Sequence, residues 1–86
     1  MNVFEERGIT HLDLHGVRHH NVEDDVYDFV LRHQDLLPLI IICGNSNTMI
    51  KIVSETLTKN LIEFSSPRLI TFILRIVLSF LKQLFI

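Results

Sequence analysis

Cysteine is all but missing from this 86-residue chain, with Cys43 the single example. One thiol excludes a disulfide framework and a cysteine-rich zinc site. It fits a reducing compartment, and a cytoplasmic location is the expectation. A basic surplus is missing too. Eight lysines and arginines face ten acids, for a net charge of −2. That balance excludes a strongly basic protein held on nucleic acid mainly by non-specific charge. The chain does not open on an apolar run. Glu5, Glu6 and Asp13 stand where the hydrophobic part of a secretory signal would lie, so no signal peptide is expected. Length is also short. A chain of this size buries only about 60% of its unfolded surface, which allows one domain and a small catalytic apparatus.

What is present is apolar and unevenly arranged. Hydrophobic residues make up 48% of the chain, which excludes a disordered tail. Residues 1–43 carry eight acids and three bases, and residues 44–86 five bases and two acids, or −5 and +3. Five histidines are many for this length, and four of them lie between His11 and His20. Thirteen of the last eighteen residues, from Leu69 to Ile86, are apolar.

The periodicity divides the chain into elements. Met1 to Gly8 is polar and reads as loose. Ile9 to His15 alternates, with Thr10, Leu12 and Leu14 on one side and Ile9, His11, Asp13 and His15 on the other. Period two argues a strand with one buried face, ended by Gly16. Asn21 is a candidate helix cap, and Val22, Val26, Phe29 and Val30 then recur at helical spacing to about His33. Leu37 to Cys43 is apolar on both faces and reads as a buried central strand that tolerates Pro38 near its start. Gly44 to Thr48 has loop chemistry with several possible caps. Met49, Val53, Leu57 and Leu61 give a second helical stripe, and Asn60 is a plausible stop. Two strands joined by a helix predict a parallel pair. Ile62-Glu63-Phe64 begins a further strand, and Ser65-Ser66-Pro67 reads as a turn. The expected fold is therefore α/β, a small two-layer sandwich of strand, helix, strand, helix and further strands. Residues 9–64 form its domain, and residues 65–86 are an apolar C-terminal segment.

The chemistry concentrates in Leu12-Asp13-Leu14-His15-Gly16. On a strand, Asp13 and His15 share a face while both leucines anchor the other. They also sit at the strand's carboxyl end, where open α/β sheets place ligands. Histidine moves protons near neutral pH, and a carboxylate beside it can hold the imidazole or help bind a divalent metal. The bland alternative is a surface Asp and His on an ordinary strand. The Gly44–Thr48 loop leads into a helix N-terminus, which favours an anion such as phosphate. Asn45, Ser46, Asn47 and Thr48 add side-chain donors there, or simply cap the helix. It is not a P-loop, because the Gly-x4-Gly-Lys-Ser/Thr spacing is absent. A row of His11, Asp13 and His15 extends over about 13 Å, too wide for one ion. A metal would need one or two of them plus loop residues. Cys43 ends a buried strand and reads as a small core residue rather than a nucleophile. Met49 and Phe29 fall in core stripes.

The Leu-Asp-Leu-His-Gly segment at the end of the first strand, followed by helix, apolar strand, glycine loop and helix, resembles the small MutS-related (Smr) domain. The resemblance covers about Ile9 to Phe64. It implies a two-layer α/β domain that binds DNA or RNA and, in several members, nicks or cleaves it. Asp13 and His15 match the segment tied to cleavage. The family's second motif, His-Gly-x-Gly, reads here Cys43-Gly44-Asn45-Ser46. Gly44 is kept, and Cys43 and Ser46 replace a histidine and a glycine. The chain also lacks glycine after Gly44, where the family has a glycine-containing turn. Carried over, Asp13 and His15 are the catalytic candidates. Gly16, Arg18, Gly44, Asn45, Ser46, Asn47, Thr48 and Lys51 are the candidates for nucleic-acid or phosphate contact. The cofactor stays open: Asp13 either orients His15 or holds a divalent ion, Mg2+ or Mn2+.

Three readings of Leu69 to Ile86 compete. It supplies the last strand to about Val77. It forms a helix on the domain, a partner or a membrane surface, with Thr71, Arg75, Ser79, Lys82 and Gln83 as a narrow polar stripe. Or it spans a bilayer, for which eighteen residues are marginal. An exposed apolar tail also implies self-association. The sequence thus supports an Smr-like endonuclease first, a non-catalytic nucleic-acid or protein-binding module second, and a membrane-attached protein third.

Overall fold

The computed structural model describes residues 2–68 and 71–77. It is a mixed α/β fold with a five-stranded sheet and two long helices. Strand β1 spans Asn2–Glu6, in the stretch expected to be loose. It pairs antiparallel with β2 (Ile9–Asp13) through a two-residue turn. Arg7 and Gly8 both have left-handed backbone in that turn, at φ 53° and 77°, as tight hairpins require. The hydrophobic pattern missed β1 because it is an outer strand. Asn2, Glu5 and Glu6 are exposed, and such edges are polar in natural sheets. β2 ends two residues earlier than the alternation suggested. The Leu14 N–H still donates to Ile42 O at 3.0 Å, and Gly16, at φ 78°, then turns the chain.

Helix α1 runs His19–His33, three residues longer at its start than the apolar stripe. Arg18 occupies the cap position in extended backbone, without a side-chain cap. Asn21, the expected cap, lies inside the first turn, and its N–H donates to Arg18 O at 2.9 Å. Val22, Val26, Phe29 and Val30 are fully buried, as their spacing predicts. Strand β3 (Leu39–Ile42) is shorter than the apolar run and parallel to β2, with Thr10 opposite Leu39 and Asp13 opposite Ile42.

Helix α2 spans Asn47–Lys59. Ser46 caps it, its Oγ accepting from the Met49 N–H at 3.1 Å. Asn60 ends it, as expected, with its Nδ2 donating to Thr56 O at 2.8 Å. Leu61 does not belong to the buried stripe. It follows the helix in left-handed backbone, at φ 59°, and is 54% exposed. Asn60 closes the helix one residue too soon for Leu61 to reach the core.

β4 (Ile62–Arg68) and β5 (Thr71–Val77) complete the sheet, in the order β1-β2-β3-β5-β4. Ser65-Ser66-Pro67, expected to be a turn, lies within β4, where the register slips between Ser65 and Arg68. An outer strand accommodates proline because one of its edges forms no ladder. Of the readings of the tail, the strand alternative describes Thr71–Val77. Residues 78–86 lie outside the described residues. Among the described residues no helix is long and apolar enough to cross a membrane.

One core joins the two layers. Leu12, Leu39, Ile41, Phe72 and Leu74 from the sheet pack on the apolar stripes of α1 and α2. β2 and β3 run parallel beneath those helices. Their carboxyl ends lie side by side, and the chain leaves each toward a helix N-terminus. Asp13, His15 and Gly44 sit at that edge.

Candidate active site

Asp13 closes β2, opposite Asn2 on one neighbour and Ile42 on the other. The chain then leaves the sheet, and His15 folds back over it. One oxygen, Asp13 Oδ1, accepts twice: from the His15 backbone N–H at 2.9 Å and from His15 Nδ1 at 2.7 Å. The backbone N–H chiefly holds the Asp13 carboxyl below the ordinary carboxylate range, and the imidazole adds to this against partial burial. Asp13 is 26% exposed at its side chain and His15 67%. An anionic acceptor at Nδ1 keeps the proton there and leaves the lone pair on Nε2. The pair is thus an oriented base on a largely exposed side chain.

Gly44 meets the other end of the imidazole. It is buried, with φ 73°, and a Cβ on it would lie 2.9 Å from His15 Nε2. Only a residue without a side chain lets the ring lie there unhindered. The two sequence motifs therefore touch, and the glycine of the second seats the histidine of the first.

Beside His15 opens a cleft of about 440 Å3, lined by Asn2, His15, Gly16, Arg18, Asn21 and Asp25 among others. Gly16 and Arg18, both sequence candidates for phosphate contact, line it with His15. The residues after Gly44 are placed differently. Asn45, Asn47, Thr48 and Lys51 are exposed, Ser46 is engaged as the α2 cap, and none of them lines this cleft. Sequence reasoning missed Asn2, Asn21 and Asp25. Asn2 lay in a stretch without a strand pattern. Asn21 was assigned to capping, and Asp25 falls between the apolar positions of α1.

The remaining chemistry-bearing side chains are structural or apart. His11 is 8% exposed, stacks on Phe4 with ring centroids 4.9 Å apart, and donates from Nδ1 to Ile9 O at 2.8 Å. It does not line the cleft beside His15. His19 and His20 are exposed at the start of α1. Burial pushes the Cys43 thiol up to about 11, which suits packing rather than nucleophilic attack. Among the described residues no group of three His, Cys, Asp or Glu side chains converges as a metal site. Asp13 stands alone as a candidate ligand, and one of its oxygens already takes two donors. Among the described residues the donor set does not fit a resident Mg2+ or Mn2+.

No protein-family model, curated protein or solved structure matches this chain.

The lowered Asp13 carboxyl carries a stability prediction. Because its folded form titrates below the unfolded value of 3.8, its contribution is present above that pH and lost as pH falls through the folded value. At pH 7 the wild type is expected to exceed Asp13→Asn by on the order of 1 kcal/mol. The gap should close toward pH 3. Urea midpoints of both proteins at the two pH values check this, and a gap that widens in acid contradicts it.

Proposed function

We propose that this chain is an Smr-like nucleic-acid-binding domain that hydrolyses phosphodiester bonds of DNA or RNA. The carrying observation is the Asp13–His15 pair, oriented at the carboxyl ends of two parallel strands and opening on a cleft that also presents Arg18. The order β2-α1-β3-α2 and the Leu-Asp-Leu-His-Gly segment support the same reading. In the reaction, His15 Nε2 takes a proton from the attacking water as its oxygen bonds to phosphorus. The bond from phosphorus to the leaving sugar oxygen breaks on the opposite side, that oxygen takes a proton from solvent water, and the imidazolium returns its proton to solvent. Asp13 stabilises the charged ring without itself being protonated. Arg18 faces the phosphate charge. The buried, lone Cys43 accords with a reducing, cytoplasmic setting.

The test is direct. The purified protein meets supercoiled plasmid, branched DNA and single-stranded RNA, each with Mg2+, Mn2+ or EDTA. Cleavage of at least one substrate is expected, and the EDTA lanes decide whether an added ion takes part. A folded protein that leaves all three intact overturns the proposal. Salt-sensitive binding without cleavage would favour a non-catalytic module, a reading to which the exposed Asn45, Asn47 and Thr48 also lend support.

A further inference from the structure

The cleft beside His15 holds an arginine and a carboxylate that do not pair. Arg18 and Asp25 both line it. Among the described residues, neither side chain has a hydrogen-bond or ion-pair partner. Other acids of α1 behave differently. Asp28 accepts twice from Arg32 at 2.9 Å, and Glu23 pairs with Lys59 on α2. Asp25 is half-buried and, among the described residues, meets no donor. Asn21 lies one helical turn before it, and Asn2 joins from β1. Their amides both donate and accept.

A ligand that fits this lining must offer acceptors to Arg18 and donors to Asp25. Inorganic phosphate is anionic throughout and meets the Asp25 charge unfavourably. A nucleotide carries both kinds of group. The volume of about 440 Å3 lies within the usual range of small-molecule sites, about 300–1,000 Å3. The start of α1 adds to the phosphate side. It has no side-chain cap and no acid in its first turn, so no side chain there offsets its positive dipole end. On the base side, a carboxylate selects donor edges. Guanine alone presents two adjacent donors, N1–H and the N2 amino group, to the two oxygens of one carboxylate. Adenine, cytosine and uracil each offer a single donor position on that edge.

We infer that the cleft is a guanine-nucleotide subsite, in which Asp25 accepts from the base edge while Arg18 holds the phosphate next to His15. Where the proposed nuclease reading holds, on which this assignment rests, cleavage falls beside guanine. A partly exposed bidentate contact gives a preference of about tenfold over the other bases.

Two measurements test it on the whole chain. Cleavage sites are mapped on single-stranded RNA and DNA of mixed sequence for the wild type and Asp25→Asn. Binding of 5′-GMP, AMP, CMP and UMP is followed through the backbone amide signals of Asn21 and Asp25. The expected result is a guanine preference and selective 5′-GMP binding, both lost in Asp25→Asn with the helical signal intact. His15-dependent cleavage without base preference, or with a preference unchanged by Asp25→Asn, overturns the subsite and leaves the nuclease reading standing. Asp25-dependent 5′-GMP binding without any cleavage does the reverse. Neither cleavage nor nucleotide binding overturns both.

Discussion

Replacing His15 with alanine is expected to lower cleavage at least 100-fold and leave the fold as it is. General acid–base catalysis by one placed side chain contributes roughly 10²–10⁴-fold. The pair has no second imidazole to take over, because His11 is stacked beneath Phe4 and His19 and His20 do not line the cleft. Folding should survive because the His15 side chain is 67% exposed and takes no part in the core cluster. Single-turnover cleavage with thermal melting of the same samples reads both quantities. Because the cleft is open, added imidazole should restore part of the lost rate. Full activity in the variant would remove His15 from the mechanism, and a lost melting transition would assign it a structural role.

The second large effect is expected at Gly44. An alanine there keeps the left-handed backbone at φ 73°, which costs about 1–2 kcal/mol for an L-residue. Its methyl group would also lie 2.9 Å from His15 Nε2. The imidazole is an exposed end and the β3 exit is buried, so the ring moves rather than the strand. That movement breaks the 2.7 Å bond to Asp13. A displacement of about 1 Å in a catalytic group is worth roughly 100-fold in rate. Gly44→Ala should therefore lose both melting temperature and cleavage. Gly8→Ala is the control. Gly8 has a similar φ of 77° but nothing within 4 Å of an added Cβ, and it lies in the distant β1–β2 turn. It should lose stability alone. Equal cleavage by the two variants would show that the Gly44–His15 contact does not matter to the rate.

The parts of this molecule that were legible in the sequence are those with an internal period. Alternation through Leu12 and Leu14 marked β2. Spacing from Val22 to Val30 marked α1, and Met49 to Leu57 marked α2. An isoleucine run marked the central β3. These residues form the core that orders the elements. β1 was illegible because an edge strand repeats nothing apolar, and its Arg-Gly turn lacks the Asn-Gly signature of such hairpins. β4 was cut short because Pro67 is a stop signal everywhere except at a free edge. The site divides the same way. Asp13 and His15 were visible as neighbours two apart on one strand. Their hydrogen bond depends on the chain leaving the sheet after Leu14, which alternation does not encode. The seat that Gly44 gives His15 is a contact between residues 29 positions apart, made by parallel pairing. Asp25 shares its solvent-facing pattern with Asp24 and Asp28, and only the path of β1 and the Gly16 turn make its surroundings a cleft.

The place of β5 between β3 and β4 bears on how the chain comes to be folded during synthesis. The partner of Leu39–Ile42 on that side is Thr71–Leu74, 29 to 35 residues further along. Until those residues leave the ribosome, β2, α1, β3 and α2 can assemble, but the isoleucine-rich strand presents a bare row of backbone donors and acceptors. Such an edge is a template for pairing with another chain. The non-local pairing also slows closure of the sheet. A nascent or truncated chain that stops short of Thr71 thus carries an adhesive seam in its centre, which the arrival of the last strand conceals.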